Sequence, residues 1–259
     1  MSRIIAVTNQ KGGVGKTTTS VNLCASLAAA ERRVLLIDID PQGNATMGCG
    51  VDKHDQQRTT CDVLLGEATV AETVVRVAAS NFDLLPSNGD LTAAEVALLN
   101  GENGQQALRD ALTDVGDQYD YVIIDCPPAL NMLTINALVA AQSVLIPMQC
   151  EYYALEGLSA LLDTIEQIAA TVNPTLKVEG LLRTMFDPRN NLSNEVSAQL
   201  ILHFGDKVYR TVVPRNVRLA EAPSHGLPVL QYDRLSRGAK AYEILADEVL
   251  RREQQRQVA

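Results

Sequence analysis

The chain of 259 residues contains no tryptophan and three phenylalanines, and aromatic residues make up only 4% of it. Single-stranded nucleic acid is bound largely by stacking bases on aromatic rings, so this scarcity argues against such a role. Long hydrophobic runs are missing too. The runs VLLI at 34–37 and YVII at 121–124 have the length of strands, far below the ~18 apolar residues of a membrane-spanning helix. The N-terminus enters an apolar run at Ile4 without the layout of a signal peptide. Metal-ligand spacing is absent: His54, His203 and His225 are isolated, and the five cysteines form no CxxC pair. An odd cysteine count, mostly inside apolar patterns, predicts reduced, buried thiols in a cytoplasmic protein, with Cys24 on the inner side of a helix. With no internal repeat, low-complexity tract or Pro/Gly linker, the expectation is one domain over 1–259.

What remains is 46% hydrophobic and too apolar for global disorder. The net charge of −9 is unevenly spread. Residues 1–176 hold 9 Lys/Arg and 21 Asp/Glu, whereas residues 177–259 hold 13 and 10. An acidic body with a basic C-terminal third leaves room for a local anion-binding face. Short β-branched runs at 4–8, 34–39, 83–86, 121–125, 143–147, 178–185 and 208–213 alternate with helix-period stretches at 17–29, 91–99, 105–115, 158–172, 193–203 and 238–250. Several strand runs are apolar throughout, as strands covered on both faces must be. The fold class this predicts is α/β, a doubly wound, mostly parallel sheet flanked by helices, with 48–60 the most loop-like stretch.

The chemistry begins where the first strand meets the first helix, at NQKGGVGKTT over 9–18. Glycines let successive N–H groups converge on one anion, and the helix N-terminus adds its partial positive charge. Lys16 can neutralise β- and γ-phosphate charge, and the Thr17 hydroxyl is placed to ligate Mg2+. The usual phosphate-loop pattern has glycine six residues before that lysine; here Gln10 stands there, and a second lysine, Lys11, lies inside the loop. One lysine leaves much of a triphosphate uncompensated, so a second cation lent by a partner would make dimerisation depend on ATP.

KGGVGKTT resembles the deviant Walker A motif of the ParA/MinD class of P-loop ATPases. In that class the extra lysine reaches the nucleotide of the other subunit. VLLIDIDPQGNAT, YDYVIIDCPP, LTINAL, PMQCEYYALEGL and VVPRNVRLAEAPSHG extend the likeness over nearly the whole chain to chromosomal ParA/Soj partition ATPases, in a form without an N-terminal helix-turn-helix domain. The resemblance implies ATP and Mg2+ as cofactors and slow hydrolysis. It implies a phosphate cradle of Lys11, Gly12, Gly13, Val14, Gly15, Lys16, Thr17 and Thr18. It places Asp40 near the attacking water and the metal shell with Asp38 in support, makes Asp125 a Walker B acid behind the metal, and puts Pro214 and Asn216 at the adenine. Arg189 and Arg218 match arginines that bind DNA without sequence preference, with Arg215, Arg234, Arg237 and Lys240 as neighbours. Contacts of that kind go to phosphate and need no base-reading geometry.

The partners so implied are a second copy in an ATP-bound homodimer, double-stranded DNA and a ParB-type centromere-binding protein, at the nucleoid. Cys126 directly follows Asp125, unlike the cluster cysteine of nitrogenase iron proteins, which disfavours an iron–sulfur role. Two alternatives stay open. A MinD-like membrane-associated ATPase would need an amphipathic C-terminal helix, and RREQQRQVA has almost no apolar face. A P-loop metabolic ligase would use the same loop to phosphorylate a carboxylate, as dethiobiotin synthetase does.

Overall fold

Val, Ile and Leu crowd the strand segments because both faces of the sheet are covered. In the computed structural model, which describes residues 2–115, 118–152 and 154–258, eight strands form one sheet. They are β1 (Arg3–Val7), β2 (Val34–Asp38), β3 (Val75–Val77), β4 (Phe82–Leu85), β5 (Tyr121–Asp125), β6 (Ser143–Gln149), β7 (Lys177–Phe186) and β8 (Val208–Pro214), in the order β3-β4-β2-β5-β1-β6-β7-β8. Every pairing is parallel except that of the edge strand β3 with β4.

The helices are α1 (Lys16–Ala29), α2 (Asn44–Gly48), α3 (Thr60–Leu64), α4 (Val70–Thr73), α5 (Leu91–Asn100), α6 (Ala107–Ala111), α7 (Met132–Ala140), α8 (Ala154–Thr171), α9 (Asn191–Phe204), α10 (Val217–Glu221), α11 (Val229–Tyr232) and α12 (Arg237–Val258). Side chains alternate across the sheet. Leu35, Ile37, Val122 and Ile124 enter a core with α5 to α8, while Leu36, Ile5, Ile123 and Leu145 enter a second core with α1 and α12. Central β1 lies between β5 and β6, so the chain winds outward from it in both directions. The crevice at the carboxyl ends of such strands is where ligands bind in doubly wound sheets.

The differences from expectation have local causes. β3 is a three-residue antiparallel edge, too short to show a period. The helix α7 is apolar and buried nearly all round, so MLTINALVA offers no amphipathic stripe. The stretch 105–115 is not one helix but a 3-10 turn, α6 and a second 3-10 turn. The last helix continues to Val258 because its polar end is tied down: Arg252 pairs with Glu248 at 2.8 Å and Arg256 reaches buried Glu179 at 2.8 Å. Glu248 also closes the sheet edge, accepting from the β8 N–H groups of Arg210 and Thr211 at 2.9 Å each and from the Thr211 hydroxyl at 2.6 Å. All five cysteines are free and buried.

Candidate active site

The loop between β1 and α1 turns at Gly13 and Gly15, whose φ angles of 73° and 86° suit glycine and strain other residues. A Cβ at Gly12 or Gly13 would meet nothing within 4 Å, so this backbone faces open space. Three hydrogen bonds brace the loop. The Thr184 hydroxyl on β7 donates to the Val14 carbonyl at 2.7 Å, the Asn9 amide donates to the Pro147 carbonyl at 2.8 Å, and the Asn9 side-chain oxygen accepts from the Lys11 N–H at 3.0 Å. A cleft of about 550 Å3 opens above it, lined by Gly12, Gly13, Gly15, Lys16, Thr17 and Thr18. Asp40 and Met47 lie on one wall, Ala222 and Pro223 on another.

The two lysines point different ways. Lys16 is buried at 7% exposure and donates to the Lys11 carbonyl at 3.1 Å. Burial holds its pKa below the ordinary lysine value, against the pull of Asp125. Lys11 projects outward and ion-pairs with Glu151 just beyond β6, both side chains about half exposed. Val14 is buried beneath the loop rather than in the cleft.

Parallel register does the rest. Asp38 ends β2 and Asp125 ends β5, and the two are directly paired across the strands. Asp125 accepts from the Thr17 and Ser20 hydroxyls at 2.8 Å each. Asp38 accepts from the Thr46 N–H and hydroxyl at 2.8 Å each and from the Asp40 N–H at 3.1 Å. Both carboxyls are fully buried, and burial pushes both pKa values up; their mutual repulsion adds to this at Asp125. Asp40 accepts from the Gln42 N–H at 2.9 Å through its carboxylate, and its carbonyl accepts from the Ser87 hydroxyl at 2.6 Å.

This arrangement fits a triphosphate with a hard divalent cation. The loop offers N–H groups and an ammonium to an anion, and Thr17 beside Asp125 and Asp40 supplies oxygen donors. Among the described residues no trio of His, Cys, Asp and Glu could hold a metal without help. A cation here would therefore also need oxygens from the ligand, as Mg2+ at phosphate sites commonly does.

Pro214 and Asn216 do not line this cleft. Pro214 faces a second cavity of about 580 Å3 between β8 and α12, and the Asn216 side chain caps α10 by accepting from the Arg218 N–H at 2.9 Å. The two arginines expected at DNA are exposed and already paired. Arg189 binds Asp187 at 2.8 Å and holds that carboxyl down to about 2. Arg218 binds Glu221 at 2.8 Å and Asp233 at 3.2 Å. Arg210, Arg237, Lys240 and Arg251 surround the second cavity, and among the described residues none of their side chains forms an ion pair, although the Arg210 backbone N–H donates to Glu248. The sequence reading missed Ser20, Thr184, Ser87 and Glu151. Only Ser20 carried a signal, one helical turn beyond Lys16 on the face that meets β5.

The AAA domain family matches residues 2–178. The chain is 53% identical to the sporulation initiation inhibitor protein Soj of Bacillus subtilis, over 96% of this chain and 98% of that one. It is 49% identical to the chromosome partitioning protein ParA of Caulobacter vibrioides, over 98% and 96%. Among solved structures, cobyrinic acid a,c-diamide synthase from Mycobacterium smegmatis with bound ADP and magnesium superposes with a TM-score of 0.86, at 38% identity and 98% and 96% coverage.

Proposed function

The chain belongs to the ParA/Soj family of chromosome-partitioning ATPases, and from that premise we propose that it is an ATP-gated dimer that holds duplex DNA and releases it on hydrolysis. It is an ATPase whose cofactors are ATP and Mg2+. Bound Mg–ATP supplies the phosphoanhydride to be cut and a cation that offsets phosphate charge. The loop N–H groups from Gly12 to Thr18 and the Lys16 ammonium bind the phosphates. Thr17 and Asp125 would hold the cation, with the Ser20 hydroxyl fixing the second Asp125 oxygen. Asp40, steadied through its own backbone by Asp38 and Ser87, orients the attacking water. Among the described residues lining the cleft, Asp40 is the only acid or histidine, so turnover is slow and waits on a ParB-type partner. Pro214 and Asn216 meet the adenine only if the β8–α10 turn swings toward the cleft on binding.

One observation carries this reading. Lys16 is buried toward the subunit's own cleft, whereas Lys11, five residues earlier in the same loop, is displayed outward on a half-exposed Glu151. An outward lysine at a phosphate loop is in position to serve a neighbour's nucleotide. Two subunits also double the cations of the C-terminal third, which ties DNA affinity to dimerisation and localises the protein at the nucleoid. The deciding measurement is duplex DNA binding with ATP, with ADP and without nucleotide. Binding only with ATP is expected, and equal binding in all three would sink the switch. A second reading, a ligase that phosphorylates a carboxylate, has the superposition on an a,c-diamide synthase in its favour. It would show as ATP consumption that needs a carboxylate substrate and ignores DNA.

A further inference from the structure

Residues 52–117 hold 12 Asp/Glu against 4 Lys/Arg, a net −8 where the whole chain is −9. Within this segment, a groove of about 740 Å3 runs between the α3–α4 turn and α6. Its floor is Leu64, Val70, Leu98 and Val115, each no more than 6% exposed. Small residues, Ala71 and Ala107 among them, keep its walls low. Glu67, Glu72 and Asp110 stand on its rim, and no lysine or arginine lines it. Glu72 caps α4, accepting from the Thr69 N–H at 2.9 Å and hydroxyl at 2.8 Å. Its ion pair with Arg58 and that of Asp110 with Arg109, each at 3.4 Å, are to exposed arginines, and such pairs are easily exchanged. Glu67 has no ion pair among the described residues.

We propose that this groove docks a basic amphipathic helix supplied by a partner protein. An apolar floor takes the hydrophobic stripe of a helix, and an acidic rim takes its flanking cations. The same rim repels DNA phosphates and anionic lipid. A second copy of this chain has little to offer, because its most basic helix, α12, spends its apolar face on β8 and α1. The groove also connects to the nucleotide site. Thr60 at the head of α3 donates to the Asp38 carbonyl at 2.9 Å, two residues from Asp40. That link matters only if the ATPase roles proposed above hold; the docking does not depend on them.

The test uses the full chain and a fluorescein-labelled synthetic peptide with leucine on one helical face and lysine on the other, followed by anisotropy. Saturable, salt-sensitive binding is expected, weakened about tenfold or more by either Ala71→Trp, which fills the groove, or Glu67→Lys, which reverses its rim. Glu166→Lys, an exposed acid on α8, is expected to leave binding unchanged. The proposal is overturned by equal affinity in both groove variants, by an equal loss in Glu166→Lys, or by equal binding of a leucine/glutamate peptide. Self-association without nucleotide that Ala71→Trp abolishes would assign the groove to a second copy instead, and would overturn it too. Thermal melts establish that the variants fold, and Glu67, exposed on a turn, keeps the test valid if Ala71→Trp does not.

Discussion

Lys16 and Lys11 separate binding from assembly. Lys16→Ala removes the buried ammonium from its own cleft and is expected to abolish ATP binding. Lys11→Ala removes an outward charge held by Glu151, so ATP affinity is expected to survive while the ATP-dependent dimer is lost. A fluorescent ATP analogue and size-exclusion chromatography read the two effects, and equal loss of nucleotide affinity in both variants would refute the cross-dimer role. Asp125 carries a pH signature. An acid whose folded-state pKa is raised favours its neutral form, so its contribution is full below the unfolded value of about 4 and is lost as pH rises through the folded value. Without nucleotide, Asp125→Asn is therefore expected to melt several degrees above wild type at pH 8, with the gap closing toward pH 4. Each kcal/mol moves the midpoint of a chain this size by roughly 3 °C. Added Mg2+ and ATP should shrink the gap at pH 8 by stabilising the ionised carboxylate in the wild type alone.

Strand β8 is the exposed edge of the sheet, and a parallel edge offers unpaired N–H groups to any passing strand. Glu248 on α12 occupies those of Arg210 and Thr211 with one carboxylate, and the hydrogen bonds hold its pKa down despite burial. Arg252 steadies the same carboxylate and lies over the Tyr209 ring at 4.1 Å. Glu248→Ala strips three charge-assisted hydrogen bonds at once and is expected to cost about 3 kcal/mol, or roughly a 9 °C fall in midpoint. It should also produce concentration-dependent aggregation seen by light scattering. If the midpoint is unchanged, α12 is held by its apolar face alone.

Charge divides the molecule into an acidic part carrying the groove and a basic C-terminal third. If a dimer uses Arg189 and Arg218 from both subunits, it makes at least four phosphate contacts, and log affinity should fall with log salt at a slope of about −3.6 or steeper. Arg210, Arg237, Lys240 and Arg251, whose side chains form no ion pair among the described residues, steepen that slope if they join. Arg218→Glu is expected to collapse DNA binding at ordinary salt while ATP binding and dimerisation persist, measured by filter binding beside the nucleotide assay. Normal binding by the variant, or salt-insensitive binding by wild type, would refute the assignment. Both arginines begin paired with Asp187, Glu221 and Asp233, so DNA must win them from those carboxylates.

The chemistry of the phosphate loop was legible because it is local: glycine, lysine and threonine in one stretch carry their geometry in the order of the residues. The parallel sheet was legible for a related reason, since strands covered on both faces must be apolar throughout. Short or uniform elements were not. β3 has too few residues to show a period, and α7 is buried on nearly every side. Long-range register was invisible as well, because no spacing along the chain says that Asp38 and Asp125 finish on adjacent strands. Their raised pKa values come from shared burial, a property of packing rather than of residue order. Ion pairing is likewise a three-dimensional outcome. The sequence shows Arg189 and Arg218 only as cations, and only the fold set carboxylates against them, while among the described residues the side chains of Arg210, Arg237, Lys240 and Arg251 form no ion pair.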